Sequence, residues 1–238
     1  MPSNEQHTSK QFDAELEDIR SRVLQMGGLV EQQTLAALDA LDDGNVQFAR
    51  RVIDDDHRVN GLEVQIDEDC NTVIAKRQPA AGDLRMLMTV VKTITDLERI
   101  GDEAAKIARM TQLIYESDRP VRPRGIDVRH MADAALSMLR TALDAFARLD
   151  ANAAGGVLRQ DEAVDDEFRS IIRQLITYVM EDPRTISHVM EMLFIAKAIE
   201  RIGDHAKNIA EYVIYMVKGK DVRHTKVEDI ERDVLSQH

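Results

Sequence analysis

The pentapeptide Glu-Arg-Ile-Gly-Asp occurs twice in this chain, at Glu98–Asp102 and at Glu200–Asp204, 102 positions apart. Each copy lies deep inside a run whose apolar residues recur at steps of three and four, the period of one helix face. A chain of this kind is constrained to fold as a duplicated helical unit. The repeat also sets a Glu and an Asp one helical turn apart at the same place in each half. A like-charge pair at that spacing costs a helix ~0.2–0.5 kcal/mol. Its presence at both equivalent positions points to a compensating cation.

The apolar pattern divides the chain into six long helices. Phe12, Leu16, Ile19, Val23, Met26, Val30, Ala37 and Leu41 mark the first, with Gly27 and Gly28 as a bend inside it. Asp42-Asp43-Gly44-Asn45 breaks it, and a second helix follows over 46–77. Gln78-Pro79-Ala80-Ala81-Gly82 ends that helix, and Asp83 is the expected N-cap of a third running to Tyr115. The fourth spans 126–149 and the fifth 153–180. Asp182-Pro183 opens the sixth, which runs to Val217. Ala37-Leu38-Asp39-Ala40 matches Ala142-Leu143-Asp144-Ala145, and Val52 and Val59 match Val157 and Val164, at an offset of 105 that falls to 102 by the third helix of each half. The expectation is therefore all-α, two tandem pseudo-symmetric three-helix bundles: residues 1–117, a linker at 118–125, residues 126–217, and a polar tail at 218–238. Short connections favour antiparallel neighbours within each bundle.

The balance of 31 basic against 43 acidic residues, a net −12, disfavours nucleic acid as a partner. Aromatics at 4% and no Trp suit helices packed on Leu, Ile, Val, Met and Ala. No stretch approaches the ~20 apolar residues of a membrane span, and no apolar run near Met1 resembles a signal peptide. Cys70 stands alone, so no internal disulfide can form, and it reads as a small buried hydrophobe in a reducing compartment. These features read as a cytoplasmic protein.

In the third helix Leu84, Leu87, Val91 and Ile94 define a face that continues into Glu98, Gly101, Asp102 and Ala105. In the sixth, Ile186, Val189, Leu193 and Ala196 continue into Glu200, Gly203 and Asp204. The carboxylates thus extend a line that was core-facing one turn earlier, and the glycines leave room for a close neighbour. All-oxygen ligation of this sort suits hard divalent ions. Further candidate ligands are Asp96, Glu63 and Asp67 in the first half, and Asp161 and Asp165 in the second. Ala198 occupies the position equivalent to Asp96, so the two sites are expected to differ. The competing reading is a solvated acidic face paired with nearby bases, and Lys106, one turn beyond Asp102, favours it.

His57, His130 and His224 each follow an Asp by three residues and read as surface histidines. No Glu-x-x-His is present, which argues against a carboxylate-bridged di-iron oxidase. No phosphate-cradling glycine loop and no nucleophile with an identifiable base is found either. Arg119, Arg122 and Arg124 could hold an anion or belong to a flexible linker.

The doubled motif, with Ala75-Lys76-Arg77-Gln78-Pro79-Ala80 before the third helix and Arg173-Gln174-Leu175-Ile176-Thr177-Tyr178 and Met180-Glu181-Asp182-Pro183-Arg184-Thr185 before the sixth, resembles the PhoU family of bacterial phosphate-signalling proteins over nearly the whole chain. The resemblance implies two three-helix bundles in a cytoplasmic, often dimeric protein without enzymatic activity. It also implies negative regulation of phosphate uptake through contacts with the phosphate transporter ATPase and a phosphate-sensing histidine kinase. The family's metal motifs fall on Glu98 with Asp102 and on Glu200 with Asp204, for an ion such as Mg, Mn or Fe. The alternatives are a di-metal oxidase or phosphatase, which would need turnover dependent on those carboxylates, and a purely structural helical protein, which would retain no metal.

Overall fold

The computed structural model describes residues 3–116, 127–223, 225, 229, 230 and 232. The expected 118–125 linker with its three arginines, His224 and most of the C-terminal tail lie outside the described residues. Among the described residues the regular structure is helical throughout: α1 (Ser3–Asp43), α2 (Val46–Asp54), α3 (His57–Arg77), α4 (Ala81–Tyr115), α5 (Val128–Arg148), α6 (Ala151–Glu181), a 3-10 turn at Pro183–Thr185 and α7 (Ile186–Lys218). The all-helical class expected from the periodicity is the one adopted.

Local chemistry explains most of the boundaries. Asn45 caps α2 by accepting from the Phe48 amide, Asp127 caps α5 through Arg129, and Asp150 caps α6 through Asn152 and Ala153. Gly44 turns the chain with φ +64°. Two boundaries depart from the periodicity. The helix expected over 46–77 is interrupted at Asp55 and Asp56, dividing it into α2 and α3. Three consecutive aspartates are poor helix formers, and Gln33 on α1 donates to the Asp56 carboxylate at 2.8 Å. The equivalent stretch of α6, Arg159-Gln160-Asp161, runs through without a break. Asp83 does not cap α4, which starts two residues earlier with Ala80 at the N-cap. Asp83 instead lies in the first turn, where a negative charge favours the helix dipole.

Helices α1, α2 and α3 pack on α4, and α5 and α6 pack on α7. The longest seam joins α4 to α7. Arg85 lies over Tyr215, Lys92 over Tyr212, Asp96 meets His205 and Glu103 meets Arg201. Numbers rise along α4 as they fall along α7, so the two helices run antiparallel, with Ile100 and Ile202 near the middle. Leu97, Ile100, Ala104, Ile107, Ile199, Ile202, Ala206 and Ile209 are all buried along these two helices, and one continuous apolar core spans both halves. The expected stripes fray at their beginnings, where Leu84 and Ile186 are exposed. Two apolar residues of the polar tail, Val222 and Ile230, are buried. Cys70 lies in the core, and burial pushes its thiol up to about 12, which removes thiolate reactivity.

Gly27 is a close-approach position between the halves. A Cβ there would lie 2.5 Å from Cδ1 of the buried Leu143 on α5, whereas at Gly28 nothing comes within 4 Å. Gly27→Val is therefore expected to destabilise by ~1–3 kcal/mol through overpacking. Gly28→Ala should be neutral or stabilise by up to ~1 kcal/mol through helix propensity. Urea unfolding of the two variants checks the contrast.

Candidate functional site

The repeated motif presents two different faces, because residues two apart on a helix point to nearly opposite sides. Ile100 and Glu103 face the α4–α7 seam. Gly101 faces its own half, where an added Cβ would lie 3.3 Å from Gln33 Oε1, 3.3 Å from Val59 Cγ1 and 3.4 Å from Asp56 Oδ1. Gly203 likewise faces α5 and α6, with Val164 Cγ1 at 3.4 Å from such a Cβ. At Gly101 the missing side chain lets the carboxylate-bearing face approach its neighbours closely, whereas a Cβ at Gly203 would make only ordinary van der Waals contact.

In the first half Glu98 and Asp102 of α4 look toward Glu63 and Asp67 of α3 and Asp56 at the α2–α3 break. Burial raises the Glu98 carboxyl above its ordinary range, and the charges of Asp102, Glu63 and Asp56 raise it further against the opposing pull of Arg99. Burial likewise raises Glu63, with Asp67 and Asp102 adding to the effect, while the hydroxyl of Thr95 donates to it at 3.4 Å. Asp67 accepts from Asn71 at 3.0 Å. Among the described residues the one cation paired with this cluster is Arg99, 3.6 Å from Glu98 with its side chain 56% exposed, a contact of little energetic weight. Among the described residues Lys106 is not paired with Asp102, the contact that favoured the solvated-face reading. It turns to Glu103, 3.3 Å away, which also receives Arg201 from α7 at 2.8 Å.

In the second half Glu200 and Asp204 of α7 face Asp161 and Asp165 of α6. Burial pushes the Asp204 carboxyl up to about 6, helped by Glu200, Asp161 and Asp165 and opposed by Lys197. The other three acids have basic neighbours. Lys197 Nζ is 2.6 Å from Glu200, Lys207 Nζ is 2.5 Å from the buried Asp161, and Arg169 is 3.7 Å from Asp165.

Asp96 does not join the first cluster. It is buried in the α4–α7 seam, where its Oδ1 is 2.6 Å from His205 Nδ1 and accepts from Asn208 Nδ2 at 3.2 Å. Ala198, its counterpart, is buried, and its lack of a carboxylate therefore takes nothing from the second cluster. Four participants had escaped notice: Asp56, Gln33, Lys197 and Lys207. The offset of 105 that aligns Val59 with Val164 also aligns Asp56 with Asp161, and that was the available signal for Asp56. Of the histidines, His57 is within 2.6 Å of the Asp54 carbonyl and His130 pairs with Glu167 at 2.9 Å.

Among the described residues no three His, Cys, Asp or Glu side chains are gathered closely enough to form a ready-made metal cage. The chemistry of the donors nonetheless suits a hard divalent ion in the first half: carboxylates with raised proton affinity, no interior cation among the described residues, and a buried Gln33 Oε1 without a hydrogen-bond partner. In the second half ammonium groups already stand among the acids. Among the described residues no helix is long and apolar enough to cross a membrane.

An all-helical duplication with a carboxylate cluster beside a glycine in each half is the class of protein defined by this fold. The PhoU domain family matches residues 23–111 and 128–213. The chain is 49% identical over 230 residues to the phosphate-specific transport system accessory protein PhoU homolog of Pseudomonas aeruginosa, covering 96% of this chain and 94% of that protein. It is 46% identical over 226 residues to the phosphate-specific transport system accessory protein PhoU of Escherichia coli K12, covering 95% and 93%. The crystal structure of PhoU from Pseudomonas aeruginosa matches with a TM-score of 0.83 and 48% identity, over 88% of this chain and all of that one. That of the phosphate transport system regulatory protein PhoU from Streptococcus pneumoniae matches at 0.81 and 29%, over 89% and 99%. The chain belongs to the PhoU family.

Proposed function

We propose that this chain is a non-enzymatic adaptor that restrains phosphate uptake and phosphate-responsive signalling, acting in the cytoplasm on the transporter ATPase and the sensor histidine kinase, as a homodimer. The observation that carries the reading is similarity at 49% identity along 96% of the chain to a protein named as an accessory of phosphate-specific transport. The geometry is compatible with it, since the acidic clusters lie in interhelical grooves and adjoin no paired nucleophile and base among the described residues.

Within this reading Glu98, Asp102 and Glu63 hold a divalent ion such as Mg, Mn or Fe, with Asp56 and Asp67 at the edge of the groove. When bound, the ion supplies positive charge that ties α4 to α3. The chain's own part is to present oxygens on two helices and to keep interior cations away. Asp96 is assigned to the seam and not to the ion.

Deleting the gene is expected to derepress phosphate-uptake genes at high phosphate. Transcript levels in a clean deletion strain check this, and unchanged expression would sink the regulatory reading. An affinity pull-down from native cells grown in high and low phosphate should recover the ATPase or the kinase, and recovery of neither would remove the proposed contacts.

A further inference from the structure

We propose that the two carboxylate clusters are neutralised by different means: the α3–α4 groove takes up a divalent cation, while the α6–α7 groove carries the Lys207 ammonium in the place of one. The inference rests on the metal reading of the first groove and extends it to a functional asymmetry between the halves.

Lys207 reaches into the second cluster from α7. Its Nζ is 2.5 Å from Asp161 Oδ2, and its ammonium is further attracted by Glu211 and Asp204. Asp161 is buried, 6% exposed, while the Lys207 side chain is 33% exposed, so the pair is partly shielded from water and salt. Lys197, 2.6 Å from Glu200, stands near the other carboxylate of the repeated motif and lies over the Phe168 ring at 5.3 Å. Phe168 itself occupies the position equivalent to Glu63. A divalent ion entering this groove would compete with Lys207 for the Asp161 oxygen. It would then leave a displaced ammonium, half-buried, beside a second positive charge.

The first groove lacks both devices. At the offset of 102, the counterpart of Lys207 is Ala105, which is fully buried, and that of Lys197 is Thr95, whose hydroxyl donates to Glu63. Lys106, the lysine one turn from Asp102, is held at Glu103 on the seam. Among the described residues Glu63, Asp67 and Asp102 form no ion pair with lysine or arginine, and Glu98 has only the exposed Arg99. Carboxylates that repel one another in a groove without an interior cation favour one from solution. Carboxylates already matched with lysines do not.

The test is Mn2+ binding to the full-length protein after chelator treatment and dialysis, followed by titration calorimetry and elemental analysis after equilibrium dialysis. Glu98→Gln with Asp102→Asn is expected to remove the bound Mn2+, with affinity falling at least ten-fold. Asp204→Asn is expected to leave both the amount and the affinity within two-fold of wild type. Lys207→Met should add a second class of bound Mn2+ that Asp204→Asn then removes, and Lys207→Gln, checked by its helical circular dichroism, replaces it if the methionine variant misfolds. Equal uptake by the two halves of the wild-type protein, or no gain from either Lys207 variant, overturns the asymmetry alone. Absence of Mn2+ binding in the wild type overturns the asymmetry together with the metal reading beneath it.

Discussion

Asp96→Ala is expected to lower the unfolding free energy by ~2–4 kcal/mol, the range for stranding partners of a buried charge. Its side chain is 10% exposed and receives His205 at 2.6 Å and Asn208 at 3.2 Å, both from the other half of the chain. Tyr212 also bonds to it: burial raises the tyrosine hydroxyl, and the Asp96 charge and hydrogen bond raise it further. Alanine would leave these groups facing an apolar gap, with the Nε2 of His205 already buried and without a partner. For a chain of this length the loss corresponds to ~5–15 °C in melting temperature. Asp96→Asn, which keeps an acceptor, should cost less. Asp96→Ala combined with His205→Ala should cost less than the two single changes added together, because they share one network. Thermal and urea unfolding of the four proteins check this. A loss under ~0.5 kcal/mol for Asp96→Ala, the usual size of a surface change, would show that the seam does not depend on the network.

The second large effect is the pH dependence of the metal-free chain. Asp204 titrates near 6 in the fold against 3.8 ordinarily, and Glu63 and Glu98 are also raised. A carboxyl raised by folding keeps its proton where the unfolded chain has lost it. Its stabilising contribution is therefore complete below pH ~4 and disappears as pH rises through 6. At ~1.4 kcal/mol per unit, reduced because Asp204 is only partly buried and solvent screens it, Asp204 alone accounts for ~1–2 kcal/mol between those limits. Acidifying the chelated protein from pH 7 to 5 should thus raise its melting temperature. The gain ends at lower pH, where carboxylates held down by arginine, Glu15 by Arg77 and Asp221 by Arg223, begin to take up protons. Asp204→Asn should melt higher than wild type at pH 7 without metal and should flatten the slope between pH 4 and 6. A wild-type melting temperature that falls steadily from pH 7 to 5 would contradict the assigned burial of these acids. Added Mg or Mn should stabilise the wild type at pH 7, by ~2.7 kcal/mol at a hundred-fold excess over Kd. Glu98→Gln with Asp102→Asn should remove that gain.

Helical periodicity is local, and what depends on it was legible in the residues themselves. The steps of three and four between apolar side chains marked the helices. The offset that aligns Val52 with Val157 marked the duplication. The carriage of Glu98, Gly101 and Asp102 on one face follows from 3.6 residues per turn alone. The interruption at Asp55 and Asp56 was not legible, because it depends in part on a hydrogen bond from Gln33, 23 residues away. Nor was the fate of Asp96, since a spacing of two from Glu98 shows that the two diverge without showing what each meets. The antiparallel seam of α4 and α7 supplied His205 and Asn208 to Asp96, and Arg201 to Glu103. By the same means Lys106 was drawn to Glu103 instead of Asp102, although its sequence spacing allowed either. The choice among several carboxylates within a lysine's reach is made by burial and by which helix packs opposite. Only the tertiary structure decides those, because they join residues that one-dimensional spacing keeps apart.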